Sequence, residues 1–179
     1  LHSMQEQGFY EIPVDNLTAF PLLMDEFLNG MELEVAQETV CLVSPDAGGM
    51  TRVMRLRDYV GNKYGIFLPV AMLEKKVAEP GKGKDRTSGI NPKSMMLVGE
   101  EHVAGRHALV IDDIIDSTGT LINGSRKLRN KGATQITCIS PHGVLSPKKD
   151  DRAQEELDAL GELRLPYRAE DKLRQEGIN

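Results

Sequence analysis

An α/β fold built on a doubly wound parallel sheet is the architecture this sequence predicts, and three observations carry that expectation. Apolar, strand-like runs at residues 39–44, 66–73, 107–111 and 135–140 alternate with segments of helical periodicity. The run at 107–111 is almost continuously apolar, as expected of a parallel strand buried on both faces. Acids and small residues gather where strands should end, with Pro45-Asp46-Ala47-Gly48-Gly49 after one run and Asp112-Asp113 after another. In open parallel sheets that edge is where ligands sit.

From the start of the chain, residues 1–16 read as an extended lead-in, since Gly8 and Pro13 interrupt regular structure, with a short strand near residues 10–14. Asn16 is placed to cap a helix in which Leu17, Phe20, Met24, Phe27 and Leu28 share a side, with Pro21 tolerated near its start. After the strand at 39–44, Asp46 stands either as a ligand or metal contact or as the cap of a plain turn. The helix beyond it turns Met50, Val53, Met54 and Val60 toward the sheet. The strand at 66–73 ends in Glu74-Lys75-Lys76 and passes into a stretch rich in Gly and Lys, residues 78–91. That stretch reads as a surface loop whose lysines are either solvated or form a lid closing over phosphates. A short strand at 95–99 and a turn at 100–105 follow.

The central stretch begins with the strand at 107–111 and continues through Asp112, Asp113 and Asp116 into Ser117, Thr118, Gly119 and Thr120. Small residues there turn the chain with N–H groups pointing inward, and a helix from about Thr120 adds its positive end, which together make a phosphate cradle. Carboxylates beside such a cradle suit the hydroxyls of a sugar phosphate; the plainer alternative is a strand end with solvated acids. Leu121, Ile122, Ser125 and Leu128 share a helical face, and Gly132 is a natural C-cap. Residues 151–160 read as a polar helix within a charged tail.

The chain has 179 residues and a formal net charge of -5, enough for one sizeable core and adverse to general nucleic-acid binding. Cys41 and Cys138 lie in apolar runs without C-x-x-C spacing and read as reduced core residues of a cytoplasmic protein. No apolar run approaches the roughly 20 residues a membrane span needs.

The stretch Val110-Ile111-Asp112-Asp113-Ile114-Ile115-Asp116-Ser117-Thr118-Gly119-Thr120 resembles the phosphoribosyl-diphosphate (PRPP) binding motif of type I phosphoribosyltransferases and PRPP synthetases. Residues 1–17 closely follow the PRPP synthetase pattern Leu-His-x-x-Gln-x-Gln-Gly-Phe-Phe-x-Ile-Pro-Val-Asp-Asn-Leu, and Ser44-Pro45-Asp46-Ala47-Gly48-Gly49 with Arg52 match that family again. Pro141-His142-Gly143-Val144-Leu145-Ser146 is similar to its Thr-His-Gly-x-Phe-Ser-Gly, with Pro141 and Pro147 in place of Thr and Gly, so a displaced loop is expected. The resemblance covers about residues 1–146, the second half of a ribose-phosphate pyrophosphokinase.

The resemblance implies a type I phosphoribosyltransferase-like domain at 17–146, a lead-in at 1–16 left from the junction with a nucleotide domain absent here, and a C-terminal helix and tail at 147–179. It implies Mg2+-dependent transfer of the diphosphoryl group of ATP to ribose 5-phosphate, giving PRPP and AMP. His2 and Asp46 would hold the metal. The 5-phosphate would lie on Asp116, Ser117, Thr118, Gly119 and Thr120, and the ribose hydroxyls on Asp112 and Asp113. Two registers compete for the catalytic lysine: Lys75 fits by position at the strand end, Lys84 by residue type, with Arg86 as a phosphate contact. Family members are homo-oligomers; a chain without the first domain would pair with copies of itself or with a full-length synthetase. The alternatives are a type I salvage phosphoribosyltransferase and a non-catalytic relative that assembles with true synthetases.

Overall fold

The computed structural model describes residues 4–75, 95–116 and 119–144. Five strands form one sheet: Val40–Ser44 (β1), Val70–Lys75 (β2), Met95–Val98 (β3), His107–Ile111 (β4) and Gln135–Ile139 (β6), in the order β3-β2-β1-β4-β6. Two short strands, Ile114–Ile115 (β5) and His142–Gly143 (β7), pair in parallel as a separate ribbon. The helices are Phe20–Leu28 (α1), Leu33–Thr39 (α2), Met50–Tyr64 (α3) and Gly119–Asn130 (α4).

Because successive strand residues point to opposite faces, the continuous apolar runs feed two cores at once. Val40, Leu42, Leu109 and Ile111 meet Met24, Leu28, Val53 and Val60 of α1 and α3 on one side. Cys41, Val43, Ala108 and Val110 meet Leu73, Met95, Leu128 and Ile136 on the other, where α4 lies. Each such fully buried aliphatic side chain contributes on the order of 1.5–3 kcal/mol. The sheet is locked by register: Cys41 faces Ala108, and Val110 faces Cys138. α4 comes close to the sheet because Gly124 has no side chain; a Cβ there would stand 2.7 Å from Leu73 Cδ1. The helix stops as expected near Gly132, whose φ of 88° lies in the left-handed region. Both cysteines are free, Cys41 buried and Cys138 half-buried, and no helix among the described residues is long and apolar enough to cross a membrane.

Several sequence expectations are corrected. The first helix begins at Phe20 with Ala19 as its N-cap, and Leu17 is left 87% exposed. The proline sets that start: Pro21 has no N–H to spend in a helical ladder and is tolerated only in the first turn. Residues 10–14 form no strand; a 3-10 helix, Met4–Phe9, precedes an irregular stretch. The ladder of β2 opens at Val70, past Pro69, which has no N–H to donate. Leu56, rather than Met50 or Met54, completes the buried face of α3. The edge strand β3 runs antiparallel to β2, with Leu97 opposite Leu73, on a sheet otherwise parallel. Helix α2 was not foreseen: it is short, with Ala36 its only fully buried residue. Residues 142–144 lie beside β5, with His142 paired to Ile114 and the Val144 N–H donating to the Ile115 carbonyl at 2.9 Å. The helix expected at 151–160 lies outside the described residues.

Candidate functional site

The order of strands reverses between β1 and β4. From β1 the chain steps outward to β2 and β3, then returns to β4 on the other flank of β1 and continues to β6. Parallel strands bring their carboxyl ends to one edge, and the reversal opens a crevice there for a ligand. The Asp46 loop leaves β1 at this place and Asp112-Asp113 leave β4 beside it.

On the β1 side, the Ser44 hydroxyl is buried and donates to the Asp46 carbonyl at 2.6 Å. One Asp46 carboxylate oxygen accepts the Gly49 N–H at 2.8 Å. Asp46 thus closes the turn that leads into α3, whose N-cap is Gly49 rather than Asp46, and its side chain faces solvent. The paired glycines have a steric reason: a Cβ on Gly49 would stand 2.8 Å from Ser44 Oγ and 3.3 Å from an Arg52 nitrogen.

On the β4 side, the Asp112 N–H donates to the Ile139 carbonyl, extending the β4–β6 ladder by one bond at 3.1 Å. Asp112 Oδ1 accepts the Asp113 N–H at 2.9 Å. Arg52, in the first turn of α3, reaches across: one nitrogen lies 2.6 Å from Asp113 Oδ2, the other 3.7 Å from Asp112 Oδ1. Its guanidinium also sits 5.7 Å from the centre of the Phe20 ring. Partial burial, then the neighbouring Asp113, push Asp112 up to about 6, with Arg52 opposing them. Burial, and secondarily the Asp112 charge, push the Cys138 thiol up to about 12.

Asp116 is exposed just past β5, and Gly119 opens α4. Lys75 ends β2 at the same edge of the sheet, since β2 runs parallel to β1. Asp46, Lys75, Asp112, Asp113, Asp116 and Gly119, with the backbone of Thr120, are thus the expected site residues that the structure describes. His2, Lys84, Arg86, Ser117 and Thr118 lie outside the described residues. Among the latter no three His, Cys, Asp or Glu side chains gather as a metal cage. A lone solvent-facing carboxylate does fit Mg2+, which keeps several waters and binds through one or two carboxylates together with substrate phosphates.

The residue that sequence reading undervalued is Arg52. It stood out only as a motif match, although its place at the start of the helix leaving the Asp46 loop aims it at the crevice. A cavity of about 420 Å3 lies on its far side, between α1 and α3, lined by Phe20, Gly48, Thr51, Arg55 and Tyr59 among others.

Residues 14–158 match the family described as Phosphoribosyl transferase domain. The chain is 35% identical over 163 residues to a ribose-phosphate pyrophosphokinase of Staphylococcus saprophyticus, covering 91% of this chain and 44% of that one. It is 37% identical over 146 residues to the enzyme of the same name from Aquifex aeolicus, covering 82% and 40%. The crystal structure of phosphoribosylpyrophosphate synthetase from Mycobacterium smegmatis superimposes with a TM-score of 0.61 at 30% identity, covering 87% of this chain and 43% of that one. The chain therefore spans under half the length of these relatives.

Proposed function

This chain belongs to the phosphoribosyl transferase domain family, and from that premise we propose that it carries the ribose 5-phosphate site of a ribose-phosphate diphosphokinase, an enzyme that transfers the diphosphoryl group of ATP to O1 of ribose 5-phosphate. The observation that carries the reading is the acid pair Asp112-Asp113, at the reversal of strand order, facing the Asp46 loop across adjacent strands. The relatives named ribose-phosphate pyrophosphokinase support the same assignment.

Asp112 and Asp113 accept hydrogen bonds from the ribose hydroxyls. The segment Asp116, Ser117, Thr118, Gly119 and Thr120 holds the 5-phosphate through N–H groups and hydroxyls, with Arg86 as a further contact. O1 then bonds to the β-phosphorus as the bridge to the α-phosphorus breaks; AMP leaves with the bridging oxygen, and the O1 proton is released. Positioning and charge neutralisation dominate such a transfer. Lys75, or Lys84 in the other register, stabilises charge on the reacting phosphates. His2 and Asp46 would hold Mg2+, which when bound would supply neutralisation of charge on the ATP phosphates. Self-association, or association with a full-length synthetase, belongs to the same reading and is checked by light scattering.

A phosphorus NMR time course with ATP, ribose 5-phosphate and Mg2+ tests the proposal. PRPP and AMP resonances are expected. A shifted or broadened ribose 5-phosphate resonance without turnover would favour a synthetase-associated relative, and no change in either would sink the ribose assignment.

A further inference from the structure

Arg52 is held in place from three directions. Its guanidinium lies over Phe20, which is itself buried as the first residue of α1. Its path runs close past the Asp46 loop, where a Cβ on Gly49 would stand 3.3 Å from Arg52 Nη1 and crowd it. Its two terminal nitrogens point at different carboxylates, at 2.6 Å and 3.7 Å. The planar fork of an arginine suits such a two-point contact, which the single ammonium of a lysine cannot reproduce.

The unequal distances matter. Asp113 is clamped, whereas Asp112 stands at the edge of ion-pair range and leans on the Asp113 N–H. Two adjacent carboxylates repel, and a cation that reaches both offsets that repulsion. We propose that Arg52 is a positioning residue of the site, spanning Asp112 and Asp113 so that together they present a two-point acceptor to neighbouring hydroxyls of the sugar. The inference rests on the ribose 5-phosphate reading above and adds to it the residue that sets the geometry and charge of the acid pair.

Calorimetric titration of the full chain with ribose 5-phosphate, across about pH 5 to pH 8, tests it with three variants. Removing a charged hydrogen-bond partner costs roughly 1.5–3 kcal/mol, so Arg52→Gln should weaken binding about ten- to a hundredfold. Arg52→Gln should also move the pH midpoint of binding upward, because the cation no longer favours the ionised acids. Among the described residues the groups bearing on Asp112 are Asp113, Arg52 and Cys138; the titration of the ligand phosphate is common to all variants and cancels in the comparison. Arg52→Lys keeps the charge and loses the fork, so affinity should fall while the midpoint stays. Arg55→Gln removes the same charge one turn along α3, where Arg55 makes no ion pair among the described residues, and should leave both readouts unchanged. It also shows that the helix tolerates such a change.

If the parent chain binds and Arg52→Gln binds equally well with an unmoved midpoint, the role assigned to Arg52 is overturned and the ribose reading stands. If Arg55→Gln matches Arg52→Gln, the effect is general electrostatics and the role is again overturned. If the parent chain does not bind ribose 5-phosphate, the ribose reading falls and the positioning role falls with it.

Discussion

Two carboxylate clusters in this molecule use similar residues to opposite ends. At the seam of α1 and α3, Asp25 accepts from Tyr59 at 2.8 Å, Tyr64 at 2.7 Å and Lys63 at 2.6 Å, and Lys63 lies over both tyrosine rings. One acid there has three donors. At the end of β4, two adjacent acids both reach the guanidinium of Arg52. The Lys63 bond, then that of Tyr64, hold Asp25 below its ordinary value, while burial and Asp113 push Asp112 up to about 6. A carboxylate with three donors ties two helices together, whereas at the end of β4 burial and a neighbouring acid raise the pKa of Asp112.

The contrast breaks most readily at Asp112. Asp112→Ala should weaken ribose 5-phosphate binding by about 1–3 kcal/mol, roughly five- to 150-fold by calorimetry, with the melting temperature held or raised. A fall in melting temperature with intact binding would place Asp112 in the same class as Asp25.

Gly49→Ala probes the loop facing the acid pair. Its Cβ would press on the buried Ser44 hydroxyl at 2.8 Å and on Arg52, and overpacking of this kind costs on the order of 1–3 kcal/mol. Denaturant melts should show that loss together with weakened ligand binding, since the strain falls where Arg52 passes. Gly124→Ala makes a comparable contact, 2.7 Å from Leu73 Cδ1. The Leu73 methyl can turn aside, whereas the Ser44 hydroxyl is fixed by its bond to the Asp46 carbonyl, so the cost should be smaller and binding unchanged.

Asp25→Asn is the mirror of the first substitution. Thermal melts should show a modest loss of stability with ribose 5-phosphate affinity unchanged; reduced affinity would mean the seam reaches the site.

The smallest effect is one of pH, and the two acids carry opposite signs. Asp25 has a folded pKa below its ordinary 3.8, so its contribution is present above that value and is lost as pH falls through the lower folded one. Asp112 has a folded pKa raised from 3.8 to about 6, so its contribution is present below 3.8 and is lost as pH rises through about 6. The melting temperature of Asp112→Asn should therefore gain on that of the parent chain as pH rises through about 6. A constant difference would show that Asp112 is not strained by its ionisation.

Local pattern was enough to read the strands of the sheet and the acids at their ends. The runs at 39–44, 107–111 and 135–140 lie within a residue of β1, β4 and β6, because a strand buried on both faces must be apolar at nearly every position. Asp112, Asp113, Asp46 and Gly132 were placed by the same logic of strand ends, turns and caps. Other features had no signal along the chain. β3 runs antiparallel by virtue of its partner β2, and β5 exists only because β7 returns beside it. The joining of Asp25 to Tyr59, Lys63 and Tyr64, and of Arg52 to Phe20, Asp112 and Asp113, spans segments far apart in sequence. Residue types and their periodicity thus settled the three central strands and the edge of the sheet at which the acids gather. Which charges meet there was decided by tertiary packing alone, since the energy of an ion pair depends on separation in space and on burial, neither of which is written in the order of residues.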